Sequence, residues 1–295
     1  MKGIHAAIVT HFGGDLSLDH EAIAADVSRL VAAGIHGIVP NGTVGEGGSL
    51  SREERREAIA TVVSAADGRV PVCAGISAST AEQAAIYGRD ASSAGAASLM
   101  MLPPLMYRAD RRELLEFFGS VARAVELPIM LYNNPLGSGS DLEPRRLAEL
   151  VRELPSITAI KESSGDARRI AELVSRCPEV DVLVGGDDWA LEGFCAGAAG
   201  WVSGVANVFP AECLRLWELC QSGELVPARE LYQALLPLGR LDMTPKLVQY
   251  FKAALDELGL GGGPCRPPRL PLDEDELATV RRAARRGASM VEHPV

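Results

Sequence analysis

Eight apolar runs of strand length recur along the chain, at 4–9, 35–39, 70–74, 97–102, 128–132, 157–161, 180–184 and 198–202. They are continuous rather than alternating, the pattern expected of parallel strands covered on both faces. Amphipathic stretches separate them, among them 19–33 (Ile23, Val27, Leu30, Val31), 51–66, 80–94 and 143–154. Helix starts are marked. Ser51-Arg52-Glu53-Glu54 reads as a capping box, and Asp19, Thr80, Asp110 and Asp166 are placed to cap other helices. Gly34 and Gly95 sit where helix C-termini need a left-handed residue.

Eight β-α units in about 220 residues have the count and size of a closed (β/α)₈ TIM barrel, an α/β fold. A doubly wound open sheet is the competing architecture. It would usually carry a glycine-rich phosphate turn after its first strand, and Thr10-His11-Phe12-Gly13-Gly14 is not one. After residue 223 the strand signal stops, and 225–238, 244–258 and 273–284 read as helices. The expected organisation is a catalytic barrel over 1–223 and a C-terminal helical appendage over 224–295, frayed from about Gly287.

The formal charge of −10 and the lack of a basic stripe argue against nucleic acid and anionic membrane surfaces as partners. No apolar run reaches the ~18 residues of a membrane-spanning helix. The N-terminus opens directly into a strand pattern with no signal peptide ahead of it. The six cysteines are scattered, without a Cys-x-x-Cys, and read as reduced, mostly buried thiols. A cytoplasmic enzyme is expected.

Lys161 ends the sixth run, Ile157-Thr158-Ala159-Ile160-Lys161. Desolvating an ammonium group on a buried strand costs several kcal/mol or more, so a lowered pKa is the cheaper outcome. A neutral amine is a nucleophile that can form a Schiff base with a carbonyl. The plainer reading is a strand-end lysine paired with Glu162 or Asp166.

In a barrel of this kind the chemistry gathers at the C-terminal ends of the strands. Those ends supply Thr10, then Asn41-Gly42-Thr43-Val44-Gly45-Glu46, Gly75-Ile76-Ser77, Pro103–Arg108, Tyr132-Asn133-Asn134-Pro135, Lys161, Gly185-Gly186-Asp187-Asp188 and Ser203-Gly204. The Gly42–Glu46 stretch has the form of an anion-binding turn, whose successive N–H groups can hold a carboxylate. Tyr132, on the strand before Lys161, is a candidate proton shuttle, and Thr43 is a candidate contact for its phenol. Gly42, Val44, Asn134, Gly186, Asp188 and Ser203 are the candidate substrate-binding positions. The five histidines form no ligand-spaced cluster, so a metal centre is not expected. Asp187-Asp188 could hold Mg²⁺, but helix capping or contact with substrate hydroxyls suits the pair better.

These motifs together resemble the dihydrodipicolinate synthase / N-acetylneuraminate lyase family of class I (Schiff-base) lyases. The likeness rests on Gly42-Thr43-Val44-Gly45-Glu46, Tyr132-Asn133-Asn134-Pro135, Ile160–Asp166 and Gly186-Asp187-Asp188, and covers nearly the whole chain. It implies a TIM barrel with a C-terminal helical region, assembled as a homotetramer. It also implies that Lys161 forms an imine with a 2-oxo acid, that Tyr132 relays protons, and that Thr43 with the Val44 N–H holds the substrate carboxylate.

Three departures bear on the substrate. Val44 stands where the family commonly has a second threonine. Met106 falls at the place of a tyrosine that completes a proton relay across subunits in the synthases, with Tyr107 one place later. Gly137 falls at the place of an arginine that binds a second carboxylate. Trp189 falls where sialic-acid lyases carry an acid. Within the family, Tyr-Asn-Asn-Pro, 185–188, 200–204 and 241–249 look like the 1-pyrroline-4-hydroxy-2-carboxylate deaminases of hydroxyproline breakdown, which release ammonia and 2,5-dioxopentanoate. The alternatives are 4-hydroxy-tetrahydrodipicolinate synthase, a 2-keto-3-deoxy sugar acid aldolase or dehydratase, and a catalytically silent 2-oxo acid-binding homologue.

Overall fold

The computed structural model describes residues 1–105 and 107–292. Eight strands alternate with helices: β1 (Gly3–Ala7), β2 (Gly37–Val39), β3 (Cys73–Gly75), β4 (Ser98–Met101), β5 (Ile129–Asn133), β6 (Ile157–Glu162), β7 (Asp181–Val184) and β8 (Gly200–Ser203). All neighbouring pairs are parallel, in the order β2-β1-β8-β7-β6-β5-β4-β3. The ring closes between the two outer strands. Ile38 bridges Val72 in parallel, and the N–H of Gly75 donates to the Pro40 carbonyl at 2.9 Å. The fold is a TIM barrel.

The outer layer is α1 (His20–Ala32), α2 (Arg52–Ala66), α3 (Ala81–Ser93), α4 (Arg111–Ala124), the one-turn α5 (Pro135–Ser138), α6 (Pro144–Glu153), α7 (Arg168–Arg176), α8 (Ala190–Cys195) and α9 (Pro210–Gln221). Ser51 and Glu54 form the expected capping box on α2, and Asp110 with Glu113 forms another on α4. Asp19 and Thr80 cap α1 and α3. Asp166 does not cap α7, which starts two residues on after Ala167. Its carboxylate instead takes the N–H and guanidinium of Arg168. Gly34 and Gly95, both at φ +93°, follow α1 and α3 as left-handed stops.

Most strands are shorter at their N-terminal ends than the apolar runs. Ile35, for instance, still closes α1 by donating to the Leu30 carbonyl, so the run at 35–39 enters the sheet only at Gly37. The cysteines are free, but only Cys73, Cys177 and Cys213 are buried.

Beyond the barrel lie α10 (Leu225–Gly239), α11 (Leu247–Glu257) and α12 (Glu274–Glu292). The expected fraying from Gly287 is corrected for 287–292, and 293–295 lie outside the described residues. The helix runs to Glu292, because Val280, Ala283 and Ala284 bury one face and Gly287 packs against Phe209. The core is continuous across the chain: Ala228, Leu235, Phe251, Leu255 and Val280 join the cluster that surrounds the barrel strands. No described helix is long and apolar enough to cross a membrane.

Candidate active site

Strand alternation sets the direction of the key side chain. On β6, Ile160 and Glu162 face one way, and Lys161 faces the other. Glu162 turns to the Asn133 side-chain amide (2.9 Å) and the Ser164 N–H (2.6 Å), where burial raises its pKa. Asp166 is occupied by Arg168. Neither acid pairs with Lys161, so the plainer reading of a solvent-end ion pair does not hold. Lys161 is 5% exposed, lies beside Tyr132 in the β5–β6 register, and has Nζ 4.2 Å from that ring's centroid. A cation so placed gains from the ring's negative face, and a neutral amine there is shielded from bulk water.

Asn134 fixes the phenol. Its Oδ1 accepts the Gly137 N–H (2.9 Å) in the first turn of α5, so its amide nitrogen is the group that donates to the Tyr132 oxygen (2.7 Å). The phenolic hydrogen is therefore left for another partner. Thr43, the expected contact of this phenol, does not make it.

Opposite, the turn after β2 is held from behind. Gly45, Gly47 and Gly75 pack against the Asn41 backbone so closely that a Cβ would lie 2.2–3.0 Å from it. Thr10 donates to the Gly45 carbonyl (2.6 Å), and the Arg55 guanidinium donates to the carbonyls of Gly47 and Gly75, the latter at 2.8 Å. Glu46, in a left-handed conformation at φ +51°, is wholly buried and meets Lys252 of α11 at 2.8 Å. It also accepts the Arg266 N–H at 3.0 Å, so the loop between α11 and α12 is clamped to this turn. The N–H groups of Glu46 and Gly47 are used within the turn, whereas those of Thr43 and Val44 have no acceptor among the described residues.

These elements enclose a cavity of about 190 Å³. That is well below the ~300 Å³ at which drug-sized ligand pockets begin. Lys161, Tyr132, Thr43, Val44, Gly42 and Asn134 line it, as expected from the sequence, together with Ser163, Gly185, Gly204 and Asp242. Gly186, Asp188 and Ser203 do not. Gly186 lies against Trp189, Asp188 is partly buried without lining the cavity, and Ser203 is wholly buried, where its hydroxyl accepts the Ala206 N–H. Trp189 is buried outside the cavity. Tyr107 is half exposed, and the relay position assigned to Met106 lies outside the described residues.

Two groups escaped sequence reasoning. Ser163 was legible, since two residues beyond Lys161 on an extended strand returns to the same face. Asp242 was not, because it comes from the segment between α10 and α11 and reaches the barrel mouth only through tertiary packing. Its carboxylate accepts the Asp187 N–H at 3.2 Å. Burial pushes its pKa up to about 6, against the opposing pull of Lys161. Asp187 is buried with its carboxylate on the Val205 N–H (2.8 Å); burial first, and then Asp242, raises its pKa well above the usual range. It clips β7 to the end of β8, which replaces the Mg²⁺ and helix-cap readings. No cluster of three or more possible metal ligands occurs among the described residues.

Residues 1–286 match the profile described as the dihydrodipicolinate synthetase family. The chain is 36% identical over 284 residues to the 4-hydroxy-tetrahydrodipicolinate synthase of Methanopyrus kandleri, covering 96% of this chain and 95% of that protein. The solved 4-hydroxy-tetrahydrodipicolinate synthase of Methylacidiphilum fumariolicum superposes with a TM-score of 0.94 at 30% identity, over 99% of this chain and 98% of the other. YagE, a prophage protein of Escherichia coli K12 assigned to the same family and solved with pyruvate, gives 0.92 at 27% identity, over 98% and 99%.

Proposed function

The chain belongs to the dihydrodipicolinate synthetase family and is accordingly a lyase that works through a lysine Schiff base; on that premise we propose that Lys161 is the lysine, acting on a small 2-oxo acid or its cyclic imine. One observation carries the assignment. The amine is buried in the cavity, beside the Tyr132 ring, with both neighbouring acids turned away from it. The nitrogen attacks the keto or imine carbon, and the resulting protonated imine draws electrons from the adjacent carbon, so a proton or leaving group departs without metal or organic cofactor. Tyr132 moves the protons, with Asn134 stabilising its oxygen when it is charged. The unpartnered N–H groups of Thr43 and Val44, with the Thr43 hydroxyl, receive the substrate carboxylate.

The pocket's charge favours a substrate with a single carboxylate. Lys161 and Asp242 are the only charged residues lining it among the described residues, and Gly137 puts no cation where a second carboxylate would need one. The reading this supports is 1-pyrroline-4-hydroxy-2-carboxylate deaminase. Lys161 adds to C2, and the ring opens to a free amine. The 4-hydroxyl leaves as water, proton shifts move the resulting double bond to C5 as an imine, and hydrolysis of that imine and of the Lys161 imine releases ammonia and 2,5-dioxopentanoate, for a net uptake of one water. The named relatives favour the alternative, 4-hydroxy-tetrahydrodipicolinate synthase, over the deaminase, and the pyruvate bound by YagE fits its keto donor. In that reading the Lys161 enamine of pyruvate adds to an aldehyde.

Borohydride trapping with pyruvate and with the hydroxypyrroline, followed by mass mapping, tests the assignment. A reduced adduct is expected on Lys161, and an adduct on any other residue overturns the mechanism. Lys161→Ala should remove both adduct and turnover while leaving the melting temperature close to that of the parent. Ammonia release from the hydroxypyrroline, without condensation of pyruvate with aspartate semialdehyde, selects the deaminase; the converse selects the synthase. A homotetramer is proposed on family grounds and is checked by light scattering on the purified protein.

A further inference from the structure

Asp242 is a carboxylate in the wall of a cavity whose one other charge is the Lys161 amine. It does not pair with that amine: no salt bridge or hydrogen bond joins the two. It is tied instead to the backbone of the β7 turn through the Asp187 N–H (3.2 Å), and Asp187 is in turn fixed by the Val205 N–H (2.8 Å). The carboxylate is thus held rigidly at the cavity's edge rather than spent on a partner. A 2-oxo acid with its carboxylate against Thr43 and Val44 and its keto carbon at Lys161 has the rest of the wall for its far end. Asn134, Leu136, Gly137, Ser163, Gly185 and Gly204 are uncharged, and among the described residues Asp242 is the only charge there.

We infer that Asp242 sets the charge selectivity of the pocket: it attracts a substrate whose distal end is a cationic amine or a hydroxyl donor, and it repels a distal carboxylate. This rests on the Schiff-base reading of Lys161 and deepens it. It identifies the substrate class as monocarboxylate 2-oxo acids and cyclic imines that bear a donor three or more atoms from the keto carbon. Like charges brought together in a desolvated site repel strongly, so the discrimination should be about tenfold or more.

The measurement is the concentration dependence of borohydride inactivation for three probes: 2-oxopentanoate, 2-oxoglutarate and 1-pyrroline-2-carboxylate, whose ring-opened form carries an ammonium. In the unaltered protein, 2-oxoglutarate should need about tenfold or more higher concentration than 2-oxopentanoate. In Asp242→Asn that ratio should collapse to roughly threefold or less, and the advantage of the pyrroline should fall by about tenfold. A purely structural role for Asp242 would move all three probes together, leave the ratios intact and overturn the inference.

The second measurement needs no variant. Lys161 on β6 and Asp188 after β7 act on Asp242 through space, the Asp187 N–H donates to it, Tyr132 of β5 lines the same cavity, and the Tyr232 hydroxyl of α10 donates to the Asp187 carbonyl at 3.3 Å. Burial raises the Asp187 pKa well above the usual range and the Asp242 pKa to about 6, so Asp242 changes charge as pH falls from 8 to 5.5. The selectivity against 2-oxoglutarate should weaken as pH falls through about 6. A ratio that stays constant over that range overturns the inference. Absence of any Lys161 adduct, with all probes at all pH values, would instead sink the Schiff-base assignment, so the two failures are distinct.

Discussion

Replacing Lys252 by methionine tests whether the helical region holds the carboxylate-binding turn in place. Lys252 and Glu46 are both essentially unexposed and meet at 2.8 Å. Lys252 also donates to the Pro264 carbonyl (2.6 Å) and lies 4.6 Å from the Phe12 ring centroid. Methionine keeps the stem's volume but removes the charge. Glu46 is then left with the Arg266 N–H at 3.0 Å and the Arg269 guanidinium at 3.6 Å. Breaking a buried pair costs roughly 3–5 kcal/mol when the surviving charge has nothing else. Two remaining donors place the expectation at the low end, about 3 kcal/mol. At roughly 2 °C per kcal/mol for a chain of this size, the melting temperature should fall by about 6 °C. Substituting Glu46→Gln as well removes the stranded carboxylate and should recover more than about 1 kcal/mol relative to additivity. Denaturant titrations of the two single variants and the double variant give that coupling energy. Because Thr43 and Val44 lie within three residues of Glu46, Lys252→Met should also raise KM more than it lowers kcat. A cost below about 1 kcal/mol, or simple additivity, would refute the idea that the clamp acts as a unit.

Tyr132→Phe keeps the ring beside Lys161 and removes the hydroxyl; turnover should fall by about 10²–10⁴-fold while the borohydride adduct still forms, as read by steady-state kinetics and mass spectrometry on one preparation. Asn134→Ala deletes one donor to the phenol and the N-cap of α5, and kcat should drop by about tenfold, the worth of one such hydrogen bond. Asp242 supplies a pH dependence of stability. Its folded pKa of about 6 lies above the ordinary 3.8, so its ionisation destabilises the fold fully above about pH 6, and that cost disappears as pH falls toward 3.8. Asp242→Asn should therefore raise the melting temperature at pH 7.5 and leave it nearly unchanged at pH 4, which calorimetry at the two pH values checks.

The barrel was legible because its signal is local and repeated. Continuous apolar runs, capped amphipathic segments and left-handed glycines recur often enough to count. Lys161 stood out because an ammonium group conflicts with the strand that carries it. The Gly42–Glu46 turn was legible as a glycine pattern, but not the reason for its rigidity. Glu46 is clamped by Lys252 and Arg266, more than 200 residues away, and no local pattern encodes that pairing. Gly186, Asp188 and Ser203 were placed in the site by their position at strand ends. Side chains there alternate or are displaced by packing: Gly186 lies against Trp189, Ser203 is held within the β7–β8 clip, and Asp188 does not line the cavity. Asp242 could not be found by scanning strand ends, since it comes from an interhelical segment that folds back over the mouth.

The cavity itself is shaped by missing side chains as much as by those present. At Gly185 a Cβ would lie 1.9 Å from the Ser163 hydroxyl and 2.9 Å from Cγ of Lys161. Any larger residue would displace the lysine it stands beside. At Gly204 a Cβ would strike the Phe251 ring at 2.4 Å and approach the Asp187 carboxylate at 3.2 Å, disturbing the support on which Asp242 rests. At Gly42 the nearest atom is the Met100 methyl at 3.3 Å, so the turn approaches the ring's interior over a single flexible side chain. Strands at three points of the ring thus end in bare backbone, while β5 and β6 end in a phenol and an amine. A barrel core is otherwise packed solid, and a void there forfeits dispersion contacts. The glycines open that space at the strand ends alone, above filled layers, which is why the reactive nitrogen is buried and yet reachable by a small molecule.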